Sequence, residues 1–153
     1  MADKKQFVEE ELIRLCFSRE FEVRNFLYDN INPDWITSLQ LRHIFEKLYI
    51  HLHSKEAPEA GLILNELKED SHRRKLTDLV FDLDKIEAGL PMAKDCVSRL
   101  EKNWLNSQLL NLRGELKSYE SAGKDPMPVM KKISKIQAQK NKIDSNYSSH
   151  AEL

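Results

Sequence analysis

Glycine and proline are both scarce, at 4 and 5 of 153 residues. That scarcity argues against turn-rich β structure and favours long helices. Cysteine is scarcer still. Cys16 and Cys96 each sit at an apolar helical position, and no Cys-x-x-Cys pair occurs. A disulfide scaffold is thereby excluded, and a reduced, cytoplasmic protein is expected. No stretch approaches the ~20 apolar residues a membrane span needs. The opening "MADKKQFVEEEL" lacks the apolar core of a signal peptide, and reads as a start residue placed ahead of an internal segment. Neither sign of charge dominates, since the formal net charge is -1. No global charge therefore points to nucleic acid. What is present is 41% hydrophobic and 32% charged residues, enough for a core under a heavily solvated surface. The charge is uneven. Residues 1–90 carry 13 Lys and Arg against 18 Asp and Glu, and residues 91–153 carry 11 against 7.

Prolines and glycines punctuate the chain. Pro33, Pro58, Pro91 and Pro126 each precede a helical pattern, and Gly89 and Gly123 each follow one. The first helix is expected from about Gln6 to Phe17, with Val8, Leu12, Leu15 and Cys16 on one face. The second runs from about Arg19 to Asp29, with Val23, Phe26 and Leu27 inward. "NINPDW" makes a turn. Ser38 is a good N-cap for a third helix reaching about Leu52, with Leu41, Ile44, Phe45, Leu48 and Leu52 in register. Shorter helices are expected over Pro58–Leu67 and from Ser71 to about Ile86, the latter with Leu76, Leu79, Val80 and Leu83 on one face.

From Pro91 the texture changes. No breaker appears before Gly114, and about thirty residues of helix would span ~45 Å, longer than a small bundle is wide. Val97, Leu100 and Trp104 form one apolar run. Leu105, Leu109, Leu112, Leu116 and Tyr119 form a second, displaced by one position. After "SAGKDP" the last helix offers Val129, Ile133, Ile136 and Ile143, with Lys140 in the missing step. This is a narrow seam of two positions in seven. Two short helices sharing one such seam are marginal alone in water. Leu110, Met127 and Met130 lie off the seam, where a partner would bury them. The fold class expected is all-α: a helical bundle over residues 1–90, a long connecting helix and C-terminal helical hairpin over 91–146, and a flexible tail over 147–153.

Catalytic and metal patterns are missing. His51 and His53, two apart on a helix, would point roughly 200° from each other and could not share an ion. His43, His72 and His150 have no neighbouring ligand pattern. HExxH, P-loop, GxSxG and GxGxxG are absent. The run Glu9–Glu10–Glu11 and the "DLDK" stretch read as solvated helix faces. "HRRK", His72 to Lys75, reads as a solvated helix start. Aromatic residues do not interleave with basic ones as on a single-strand platform. The chain is read as non-catalytic.

Two stretches carry a family resemblance. "EEELIRLCFSREFEVRNFLYDNINPDWITSLQLRHIFEKL", residues 9–48, resembles a pattern shared by two domains. One is the C-terminal domain of bacterial DnaG-type primases and the other the N-terminal domain of DnaB-type replicative helicases. Its elements here are Glu9, Leu12 and Leu15, then Pro33, Asp34 and Trp35 ahead of a helix carrying Arg42, Ile44 and Phe45. The second stretch, residues 95–144, begins "DCVSRLEKNW" and resembles the end of the primase: a long helix, a short Gly turn and a final helix. No linker and ATPase follow, as the helicase would require. The final helix departs from the family in being rich in Lys, Gln and Asn, with Pro128 near its start.

The resemblance implies a helicase-interaction domain whose hairpin docks on the N-terminal domains of the hexameric DnaB-type helicase. The parent primase would use zinc and magnesium upstream. This segment implies no cofactor, no small-molecule ligand and at most weak or indirect nucleic-acid contact. Candidate partner-binding residues are Leu112, Leu116, Tyr119, Met127, Met130 and Ile133, with Lys131, Lys132 and Lys135 at the rim. Leu112, Leu116 and Ile133 fit the hairpin's own seam equally well. The alternatives are the N-terminal-type domain of the helicase itself, a nucleic-acid-binding helical module using the basic C-terminal third, and a self-associating hairpin.

Overall fold

The computed structural model describes residues 4–81 and 89–151, with side chains placed over 6–81 and 89–145. It is all-helical, and among the described residues there is no strand. The chain divides into two compact units, Met1–Leu100 and Glu101–Leu153.

The first unit holds α1 (Lys4–Leu15), α2 (Phe21–Asn30), a short 3-10 turn over Pro33–Trp35, α3 (Leu39–Tyr49), α4 (Ala60–Glu66) and α5 (Asp70–Val80). The opening residues of α6 (Leu90–Ser121) belong to it as well. The expected stripes form its core. Leu12, Val23, Leu27, Leu41, Ile44, Phe45, Leu48 and Leu76 are fully buried, and Ala93, Cys96, Val97 and Leu100 close the same cluster. That is why this unit ends at Leu100, beyond the texture change at Pro91. The closing stretch of the fifth helix, with Leu83 and Ile86, lies outside the described residues, as does "DLDK".

Several ends differ from the periodicity. α3 stops at Tyr49 rather than Leu52. The chain tightens there, with His51 N bonded to Leu48 O (2.9 Å) and Leu52 N to Tyr49 O (3.2 Å), and Leu52 still reaches the core. Pro58 sits before the cap residue Glu59 rather than in the first turn of α4. Gly89 opens α6, its carbonyl accepting from Ala93 N at 3.1 Å.

The acidic run of α1 is a correction. Glu9 is buried at 2% exposure. Its Oε1 accepts from the Thr37 backbone N–H, the Thr37 hydroxyl (3.0 Å) and Ser38 N (3.3 Å). With the Ser38 hydroxyl accepting from Leu41 N, this carboxylate fastens the start of α3. Glu10 pairs with Lys75 of α5. "HRRK" lies in the opening turns of α5 with Arg73 and Arg74 exposed, as expected, while His72 meets Glu69 at 3.2 Å and Arg73 Nε donates to Leu67 O at 2.8 Å. Arg24, which no periodicity singled out, is fully buried. Its guanidinium donates to Ser18 O (2.7 Å), Ser54 O (2.7 Å) and Lys55 O (3.1 Å), tying two loops together.

The second unit is the remainder of α6 packed against α7 (Met127–Ala151). α7 runs to Ala151, past the loss of periodicity at residue 147.

Candidate docking surface

The hairpin is built by its turn. α6 ends in a Schellman motif: Lys124 N bonds Tyr119 O at 2.9 Å and Gly123 N bonds Glu120 O at 3.2 Å. Gly123 takes φ +70°, the left-handed conformation this motif demands. The Lys124 ammonium lies 5.7 Å over the Tyr119 ring, covering the turn. Asp125 Oδ1 then accepts from Met127 N at 3.1 Å, and Pro126 O receives Met130 N at 3.0 Å. Together these start α7. At the far end Lys102 Nζ meets Asp144 Oδ1 at 2.7 Å, clamping the two helices.

Between turn and clamp runs the expected seam. Leu105, Leu109, Leu112 and Val129 are buried, while Leu116, Tyr119, Ile133, Ile136, Lys140 and Ile143 are half-buried. Of the candidate contact residues, Leu112 (9% exposed) is therefore enclosed within the hairpin. Leu116, Tyr119 and Ile133 present edges only. Met127 and Met130 are 51% and 46% exposed, and Lys131, Lys132 and Lys135 are exposed beside them.

Helical geometry resolves this face further. Met127, Lys131, Ser134, Ala138 and Asn141 recur at alternating steps of four and three, opposite the seam, and all are exposed. It is a second stripe of flexible or small side chains flanked by Met130, Lys135 and Lys142. Its spacing was in the sequence, but its apolar content is too low for a search based on hydrophobic periodicity to find it. On α6, Leu110 stands off the seam at 66% exposure. Over the side chains placed on α7, five lysines face one acidic residue, Asp144. The outward face is therefore basic.

Among the described residues no group of three or more His, Cys, Asp or Glu is placed to hold a metal ion, and no helix is long and apolar enough to cross a membrane. Burial pushes the Cys96 thiol up to about 12, with Glu11 and Asp95 adding to the shift, and burial raises the Cys16 thiol too. Both are therefore unreactive near neutral pH. His51 and His53 lie beyond the end of α3, so helical spacing does not govern them. His51 meets Glu66 at 3.4 Å, and His53 stacks on Tyr28 with centroids 4.0 Å apart. His43 and His72, 29 residues apart in sequence, come together with ring centroids 4.9 Å apart. They line an open groove of about 410 Å³ with Leu39, Arg42, Glu46 and Glu69.

No protein-family model, curated protein or solved structure matches the chain.

Proposed function

We propose that this chain is the helicase-interaction domain of a bacterial DnaG-type replicative primase. In this reading the hairpin docks on the N-terminal domains of the hexameric DnaB-type helicase and recruits primer synthesis to the replication fork. The observation that carries the reading is the outward face of α7. A hairpin that closes its own seam still exposes Met127 and Met130 beside Lys131, Lys132 and Lys135. Thioethers adapt to irregular partner surfaces, and the lysines steer an acidic partner surface into register. The order of bundle, long helix and hairpin, and the resemblance over residues 9–48 and 95–144, support a DnaB-type helicase as the partner.

The roles divide accordingly. Met127 and Met130 carry the apolar contact, Lys131 and Lys135 the rim, and Leu116, Tyr119 and Ile133 the edges. Leu112 supports them from inside the seam. The parent primase supplies nucleotidyl transfer with its own zinc and magnesium; this domain positions it and is not itself an enzyme. Titration against the cognate helicase's N-terminal domain tests the reading. Met130→Asp is expected to weaken binding at least tenfold with helicity unchanged. Truncation after Ala122 is expected to abolish binding. Because that truncation also bares Leu105, Leu109 and Leu112, the point variant is the cleaner probe. Full affinity in folded Met130→Asp would refute the assignment.

A further inference from the structure

α3 and the start of α5 wall the open groove, and two contacts hold them together. Gln40 Nε2 donates to Ser71 O at 3.0 Å, and the His43 and His72 rings meet with centroids 4.9 Å apart. His43 lies one turn after Gln40 and His72 directly follows Ser71, so the hydrogen bond keeps the rings in reach. Glu69 stands at the N-cap of α5, yet its side chain caps no amide. It meets His72 instead, with Oε2 3.2 Å from Nε2. In the neutral ring that carboxylate places the proton on Nε2 and leaves a bare lone pair on Nδ1. Nδ1 is buried and has no hydrogen-bond partner, on a side chain that is 13% exposed. A buried acceptor left alone is costly, and a ligand that takes its lone pair would relieve the cost.

The groove favours a cation in that role. Its carboxylates, Glu46 and Glu69, outnumber its one guanidinium. Arg42 is itself engaged, donating to Ile36 O (3.0 Å) and Asp34 O (3.4 Å). Two imidazoles on one tetrahedral ion, at metal–nitrogen distances of about 2.0–2.1 Å, hold their ring centroids about 5 Å apart. The observed 4.9 Å fits. His43 is half-buried on the groove wall, and the broad χ2 of a histidine lets its ring turn a nitrogen toward the ion.

We propose that His43 and His72 are the two protein ligands of a site for an imidazole-preferring divalent cation, of the zinc, copper and nickel class, with Glu69 orienting His72 from behind. A carboxylate behind a ligating histidine fixes its tautomer and raises its basicity. Among the described residues no set of three ligands is assembled, so water fills the remaining positions and the site is weak. The ion would bridge α3 and α5. The site lies within the first unit and does not depend on the helicase reading.

Calorimetric titration of the full chain with zinc chloride, beside magnesium chloride, tests it. The parent is expected to bind one zinc with Kd below about one millimolar, and to leave magnesium, which prefers oxygen ligands, unbound. His43→Ala and His72→Ala should each weaken zinc at least tenfold, with circular dichroism checking the fold. Glu69→Gln should weaken it about tenfold. His53→Ala should leave it unchanged. Proton NMR of the parent removes any dependence on how the variants fold: zinc should shift the imidazole resonances of His43 and His72 and leave those of His51 and His53 in place. No saturable zinc binding below about one millimolar would overturn the proposal. So would unchanged affinity in folded His43→Ala or His72→Ala, or shifts confined to other histidines.

Discussion

The bundle and the hairpin are made of the same element and are held together differently. In the bundle the apolar stripes meet in one shared core, and Phe45, Leu12 and Ile44 lose all their exposure. Buried polar groups then fix the loops: Glu9 to Thr37 and Ser38, Arg24 to Ser18, Ser54 and Lys55. In the hairpin two helices share one seam, four seam residues are buried, and among the described residues a Schellman turn and the Lys102–Asp144 ion pair secure the ends. A two-helix unit cannot bury more than one stripe per helix. What it leaves exposed is therefore available for a partner, and the exposed methionines of α7 lie there.

Substitutions can break or sharpen this contrast. The largest effect belongs to the bundle core. Phe45→Ala should cost about 3–5 kcal/mol, against about 2 kcal/mol for Leu109→Ala, whose surroundings can relax toward solvent. Urea denaturation followed by circular dichroism would rank them. Hydrogen exchange should localise the Leu109 effect to α6 and α7. Equal and global losses would mean that the hairpin is as deeply integrated as the bundle. Glu9→Ala comes next. It leaves the Thr37 and Ser38 amides without their acceptor, and should cost about 2 kcal/mol in the same denaturation experiment.

The two glycines of the hairpin should move in opposite directions. Gly123→Ala puts a side chain at positive φ and should destabilise by about 1 kcal/mol. Gly114→Ala, mid-helix with open space around its Cβ, should stabilise by about 0.5–1 kcal/mol. Their melting temperatures would show it. The smallest effect concerns Glu101, whose carboxyl is pushed up from its ordinary range by burial. A raised carboxyl pKa means that stability is fully present below the unfolded value and falls as pH rises through the folded one. Glu101→Gln should therefore be slightly more stable than the parent at pH 7 and equal to it near pH 3, as denaturation at the two pH values would read.

The sequence made the apolar framework legible and hid the polar one. Leu41, Ile44, Phe45 and Leu48 announce a buried face through local spacing alone, and so do Leu105, Leu109 and Leu112. Ser38 and Gly123 announce caps by residue type. Glu9 read as one of three solvated acids because its partners lie 28 and 29 residues away. Lys75 and Glu10 meet across 65 residues, and Arg24 meets Ser54 across 30. No periodicity carries such pairings; only the fold brings them together. The same holds for His43 and His72. The end of α3 was misplaced because Leu52 keeps the helical period while the backbone has already tightened at Ile50. On the candidate surface, spacing separated Met127 and Met130 from the seam. Leu112 fits both seam and contact by spacing, and its burial assigns it to the seam.

We propose that the outward face of α7 docks on a DnaB-type helicase. Calorimetric titration of the cognate helicase's N-terminal domain with the parent chain and with Met130→Asp tests it most directly. The account predicts saturable binding by the parent and at least a tenfold loss in the folded variant. Equal binding by both, or none by the parent, would contradict it.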